Sequence, residues 1–192
     1  MSHAIYQTPA LILGTIAMRE SNKLAILYTE DFGLIYVAVQ SVRAASSKMK
    51  SHLQTYSLVD VDLVRGRDIW RLTGIHEKLS SLSYVHTQWY PFIEKVSSMV
   101  QRLCPGEEVN HELWSDIEQL FRLVTEDRDH VDVLLLEIIF IARLLNNLGY
   151  WSGNEIVVTS EILYSPEVVS YVSLQKREVI KRINRGLEIS QL

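Results

Sequence analysis

The residues of this chain best suited to chemistry are basic, and they come in groups. Arg43, Lys48 and Lys50, with His52 close behind, sit in the stretch 40–52, which is rich in Ser, Ala and Lys and too polar to be core. Arg65, Arg67 and Arg71 follow on and beside the turn Arg65-Gly66-Arg67, between two apolar runs. Cations spaced along a loop and a hairpin can pair with successive phosphates of an extended polyanion, gaining affinity by releasing its counterions. Tyr36, Tyr56 and Trp70 lie among them, and a ring stacked on a base is worth ~1–3 kcal/mol whatever the base. A small β module also fills its core with large rings, so residue type alone names no stacker.

A further basic set, Arg177, Lys181 and Arg185, falls at helical spacing near the C-terminal end, opposite Val179, Ile180, Ile183 and Leu187. Placed beside an exposed apolar groove, these cations would suit an acidic peptide ending in an apolar residue. Catalytic readings find no support. The chain has no Gly-x-Ser-x-Gly elbow, no phosphate-cradling glycine loop and no His-Glu-x-x-His helix. One cysteine, Cys104, and scattered histidines at 3, 52, 76, 86, 111 and 130 offer no tetrahedral metal spacing. No catalytic residue, metal or cofactor is expected.

The elements that position these residues change character near residue 80. Ala10–Met18, Lys23–Thr29, Leu34–Val39, Tyr56–Val64 and Ile69–Ile75 read as five strands. In the fourth, Val59, Val61 and Leu63 alternate with Asp60 and Asp62, the pattern of a half-buried strand. Asp31-Phe32-Gly33 supplies a turn, with Gly33 free to take a positive φ. Five short strands with one long loop fit a small closed or nearly closed barrel over residues 1–79.

Residues 80–192 read as a helical domain. Leu82–Leu103 has helical spacing, with Pro91 in the first turn of a helix, and Asn110 is an N-cap for a helix to about Thr125. Val131–Leu148 is apolar nearly all round, the mark of a central helix, with Gly149 as its stop. Inside it the carboxylate Glu137 reads as paired with a nearby cation or peripheral rather than as a general base, and Arg143, six positions on, lies too far round the helix to be its direct i,i+4 partner. Residues 154–165 carry no clear pattern, and a last helix is expected over about Leu174–Glu188.

Composition bounds the class. With 192 residues, 47% hydrophobic and 22% charged, the chain is an ordinary globular one. The single cysteine points to a reducing compartment, no secretory signal is visible, and Val133–Leu148 is shorter than the ~20 residues of a membrane span. A cytosolic chain with no membrane partner is therefore expected. Net charge is −4, divided as +2 over residues 1–80, −9 over 81–167 and +3 over 168–192. An acidic middle between basic ends implies different partners for different surfaces.

Several segments, taken in order, resemble the RecO family of bacterial recombination mediators. They are Leu11–Arg19, Thr29-Glu30-Asp31-Phe32-Gly33-Leu34, the Ala38–Lys48 loop, Leu58-Val59-Asp60-Val61 and Arg65-Gly66-Arg67. Tyr90–Leu103, Cys104-Pro105-Gly106-Glu107, Leu113-Trp114 and Leu144-Leu145-Asn146-Asn147-Leu148-Gly149-Tyr150 continue the likeness. The resemblance implies an N-terminal OB-fold followed by a helical bundle. It implies single-stranded DNA binding through Arg43, Lys48, Lys50, Arg65, Arg67 and Arg71, loading of RecA onto strands coated by single-strand-binding protein, and strand annealing. The implied partners are RecR and the acidic tail of single-strand-binding protein, and the implied location is the bacterial cytoplasm, at the nucleoid. Many members insert a four-cysteine zinc module where this chain has Trp151-Ser152-Gly153-Asn154. The alternative is a protein-interaction adaptor of the same fold that has lost most DNA binding.

Overall fold

A computed structural model describes residues 4–17, 23–39, 53–104, 106–126 and 130–190. The strands are β1 (Ile5–Ala17), β2 (Lys23–Thr29), β3 (Gly33–Val39), β4 (Leu58–Arg65) and β5 (Trp70–Leu79). They close into a barrel in the order β1-β2-β3-β5-β4, an OB-fold, as the strand patterns and the resemblance predict. After a single 3₁₀ turn at Ser81–Ser83, the helices are α1 (Trp89–Leu103), α2 (His111–Glu126), α3 (Val133–Asn147), α4 (Ile156–Thr159) and α5 (Pro166–Ile189).

β1 makes closure possible by changing partners along its length. Ile5–Leu11 pair with β4 and Ala10–Ala17 pair with β2, with a register shift between Ile12 and Gly14 where the strand bends. The strand begins earlier than its apolar run. Ile5–Pro9 are drawn into the sheet by pairing with Val64–Asp60, although Tyr6, Gln7, Thr8 and Pro9 read locally as a loop. The β2–β3 hairpin turns at Gly33, whose φ is +65°. There the Thr29 hydroxyl donates to the Gly33 carbonyl (3.0 Å) and accepts from the Phe32 N–H (3.1 Å).

Inside the barrel Ile12, Leu27, Ile35, Val37, Val61 and Trp70 form the core. The outward residues Leu11 and Leu13 are buried as well, and α1 packs against β1. The chain divides into two compact units, 1–109 and 110–192, so α1 belongs with the barrel although strand gives way to helix near residue 80. The segment after α1 also joins the barrel. Gly106 accepts the Leu34 N–H (2.9 Å), and a β-carbon added to Gly33 would stand 2.2 Å from the Glu108 carbonyl oxygen.

In the second unit, Asn110 caps α2 through its side-chain oxygen (2.9 Å from the Leu113 N–H). Asp132 caps α3 at both Leu134 and Leu135. The helix stops at Gly149 (φ +79°), with the Gly149 and Tyr150 N–H groups bonded back to Asn146 and Leu145, a Schellman closure. α5 starts eight residues before its apolar periodicity does, at Ser165 and Pro166. Ser165 accepts the Val168 N–H, Pro166 needs no donor at the first position, and a kink at Gln175 (φ −107°) interrupts the pattern that the sequence offers. Residues 154–165, which carry no pattern, hold the short helix α4 and bury Val157 and Leu163.

The buried polar tie of this unit is Asp116 on α2 with Arg143 on α3. The guanidinium meets one carboxylate oxygen through Nε (2.8 Å) and Nη2 (2.6 Å), and donates through Nη1 to the Ser160 carbonyl. Asn147 donates to the other carboxylate oxygen at 3.2 Å. Arg143, unable to reach Glu137 within its own helix, thus finds its carboxylate on a neighbouring one.

Candidate nucleic-acid interface

The candidate surface is built from alternation along the strands. Val37 and Trp70 are parallel neighbours on β3 and β5 and both face the core, so Ala38 and Arg71, the next pair, both face outward. Tyr36 is the preceding outward residue of β3, 45% exposed. Leu24 and Ile26 of β2 pair with Ala38 and Tyr36, which gives this face an apolar floor. Arg71 has no carboxylate partner among the described residues, and its Nε comes within 3.8 Å of where a Gly66 β-carbon would be.

The hairpin carrying Arg65 and Arg67 is tight. The Gly66 N–H donates to the Ile69 carbonyl (3.1 Å), and a β-carbon at Gly66 would lie 2.3 Å from that same oxygen. The two arginines differ in availability. Arg65 sits over the Trp70 ring (5.0 Å) and 3.1 Å from Glu107, whose other oxygen accepts the Trp70 indole N–H at 3.0 Å. Arg67 is exposed with no such partner among the described residues. The carboxylate that pairs with Arg65 is 42 residues away in sequence, and no local signal announces it. Arg43, Lys48 and Lys50 lie outside the described residues.

Outward carboxylates of the barrel strands gather elsewhere. Asp60 and Asp62 on β4 stand against the C-terminal half of β5, where Asp60 meets Lys78 (3.0 Å) and Asp62 accepts from Gln7 (2.8 Å) with His76 at 4.0 Å. The carboxylates of the described barrel strands are thus Asp60 and Asp62 on β4 and Glu77 towards the end of β5, and Arg71 is an unpaired cation beside β3.

The three aromatic candidates separate cleanly. Trp70 is 3% exposed and faces inward, in ring contact with Tyr6 and Phe32. Tyr56 is half-buried against the Tyr90 ring (5.6 Å), with φ +69° and its carbonyl accepting the Tyr84 hydroxyl. Tyr36 makes no ring contact or hydrogen bond among the described residues.

On the second unit, Arg177, Lys181 and Arg185 are all exposed on α5, while Val179 and Ile183 are buried. The three cations line a groove of about 990 Å³ together with Trp151, Ile180 and Ile189. Trp151 escaped the sequence reading, whose only hint was its place just past the Gly149 stop. The neighbouring Arg182 is already committed. It pairs with Glu155 and with Glu178 (3.3 Å) and lies over the Trp151 ring (6.0 Å). Burial acts to raise the Glu155 carboxyl, but hydrogen bonds from backbone, Trp151 and Arg182 hold it below its ordinary value. Arg177, Lys181 and Arg185 have no carboxylate partner among the described residues.

Burial, then Glu108, pushes the buried Cys104 thiol up to about 12, far from a reactive thiolate. Among the described residues no three His, Cys, Asp or Glu side chains come together as metal ligands. Likewise, among those residues no helix is long and apolar enough to cross a membrane.

Residues 1–90 match the family described as recombination protein O N terminal. The chain is 27% identical over 146 residues to the DNA repair protein RecO of Syntrophobacter fumaroxidans, covering 75% of this chain and 57% of that protein. It is 23% identical over 149 residues to the RecO of Chlorobium limicola, covering 76% and 56%. A shorter stretch of 69 residues is 35% identical to the RecO of Dehalococcoides mccartyi, covering 36% and 27%. The chain thus spans little more than half the length of the first two relatives.

Proposed function

We propose, from the premise that this chain belongs to the RecO family of DNA repair proteins, that it is a non-catalytic mediator binding single-stranded DNA through its barrel. The observation that carries this reading is the β3–β5 face: an unpaired arginine and an exposed tyrosine over apolar strands, with Asp60 and Asp62 set apart on β4. Arg67 on the hairpin and Arg65 in part extend this cationic surface, and Arg43, Lys48 and Lys50, outside the described residues, would add further phosphate contacts. In this role the chain helps load RecA onto strands coated by single-strand-binding protein, promotes annealing and works with RecR, in the bacterial cytoplasm at the nucleoid.

Changing Arg43, Lys48 and Lys50 together to Ala is expected to weaken oligonucleotide binding while leaving the melting temperature unmoved. Loss of three phosphate contacts flattens the slope of log K against log salt by about two units, at ~0.7 per contact on a single strand. A slope equal to wild type would remove the loop from the binding track.

The α5 groove supports a second contact, with the acidic tail of single-strand-binding protein. Three unpaired cations beside Trp151, Ile180 and Ile189 suit a peptide that is acidic and ends in an apolar residue. Reversing Lys181 and Arg185 to Glu is expected to abolish tail-peptide binding and spare oligonucleotide binding. Survival of tail affinity would place the tail elsewhere.

The adaptor reading, with the same fold and little DNA affinity, is favoured by one observation, the capture of Arg65 by Glu107. A salt titration of binding to a fluorescent oligonucleotide separates the two. Tight, salt-sensitive binding supports the mediator, and its absence in low salt leaves the adaptor.

A further inference from the structure

We propose that Tyr36 stacks on an unpaired base and Arg71 holds a neighbouring phosphate, so that the β3–β5 face selects single strands over duplex. This rests on the reading of the barrel as a DNA-binding module and adds to it a named contact and a choice of substrate.

Geometry makes the pair. Ala38 and Arg71 are direct neighbours across β3 and β5, and Tyr36 is one outward position back along β3. With strands about 4.8 Å apart and about 6.6 Å between residues on one face, such diagonal neighbours stand roughly 8 Å apart, within reach of long side chains. That spacing lets a base lie on the ring while its phosphate meets the guanidinium. The floor beneath, from Leu24, Ile26 and Ala38, is apolar, so covering it with the face of a base dehydrates no polar group of the protein there.

Availability selects the residue. Ring contacts occupy Tyr6, Phe32 and Trp70 as one cluster and Tyr56, Tyr84 and Tyr90 as another. Tyr36 stands outside both, 45% exposed. A core role does not account for it, because its inward neighbours Ile35 and Val37 already fill the barrel. Inside a duplex both faces of each base are covered by stacking, so a ring on this surface rewards only an unpaired strand.

The test measures binding of a short fluorescein-labelled oligothymidylate, the same strand carrying abasic positions, and a duplex. Tyr36→Ala is expected to weaken oligothymidylate binding roughly 5- to 150-fold with an unchanged salt slope. Tyr36→Phe retains affinity. The abasic strand binds wild type and Tyr36→Ala alike, and duplex affinity is the same for both. Arg71→Ala instead lowers the salt slope by ~0.7. Tyr36→Leu, which keeps the bulk without the ring, guards against a folding artefact and behaves like Tyr36→Ala. Wild-type binding to oligothymidylate with no loss in the Ala and Leu variants overturns the stacking contact and leaves the DNA-binding reading intact. An equal loss on the duplex overturns the selectivity. Wild type that binds none of the three probes overturns both readings together.

Discussion

Replacing Asp116 by Asn is expected to destabilise the helical unit by about 3–5 kcal/mol, because it leaves the Arg143 charge buried without its carboxylate. Asp116 is fully buried and Arg143 nearly so. The pair itself is a different quantity. Burial works against the charged Asp116 carboxyl while the Arg143 and Asn147 donors favour it. Desolvation thus offsets much of the attraction within the pair, which fixes geometry more than it adds stability. Asp116→Leu with Arg143→Met is accordingly expected to recover most of the single-variant loss, as buried pairs replaced by apolar groups often do. Urea unfolding followed by helical circular dichroism measures all the variants. A cost below about 1 kcal/mol for Asp116→Asn would mean that water reaches the pair.

The second large effect is expected at Gly33. Alanine there meets two penalties at once: a φ of +65° and a β-carbon 2.2 Å from the Glu108 carbonyl oxygen, with Glu108 C and N within 2.8 Å. All three atoms are backbone, so no side chain can swing aside, and the segment carrying Gly106 and Glu107 must move. That movement breaks the Leu34–Gly106 hydrogen bond and withdraws Glu107 from Trp70 and Arg65. A loss of about 3 kcal/mol or more is expected, combining backbone strain with broken contacts. Gly106→Ala is the comparison. Its φ is +60°, but nothing lies within 4 Å of the added carbon, so it incurs the strain alone, about 1 kcal/mol. Equal losses at the two glycines would refute the close contact at Gly33.

These residues also mark what sequence can convey. Alternation in β4 places Val59, Val61 and Leu63 inward without any structure, since a period of two has one physical meaning when one face is buried. Asn110 and Gly149 were legible as cap and stop for the same reason, each being a local backbone requirement met by one residue type. What stayed hidden is non-local. Ile5–Pro9 become strand because β4 supplies partners, and Glu107 reaches Trp70 and Arg65 only once the chain has folded back. Ser165-Pro166 was a local start signal, but the kink at Gln175 breaks the periodicity that would have pointed back to it. At the candidate interface, the sequence supplied the arginines and three aromatic candidates. Only burial separated Tyr36 from Tyr56 and Trp70, because one residue type serves equally as core filler and as exposed platform.

The Gly106–Glu107 segment has a consequence for how the protein is made. Leu34 and Trp70 leave the ribosome well before the residues that accept their N–H groups. At the usual pace of about 5–20 residues per second, the interval between Leu34 and Gly106 is roughly 4–14 s. Only over its last part, the 27 residues from Leu79 to Gly106, does the nascent barrel have all five strands while still lacking its last staple. Its Leu34 edge stands open for those seconds, in a cell crowded with other unfinished chains. The vulnerable moment in the life of this fold thus falls during synthesis, after the last strand has emerged and before the turn that follows the first long helix.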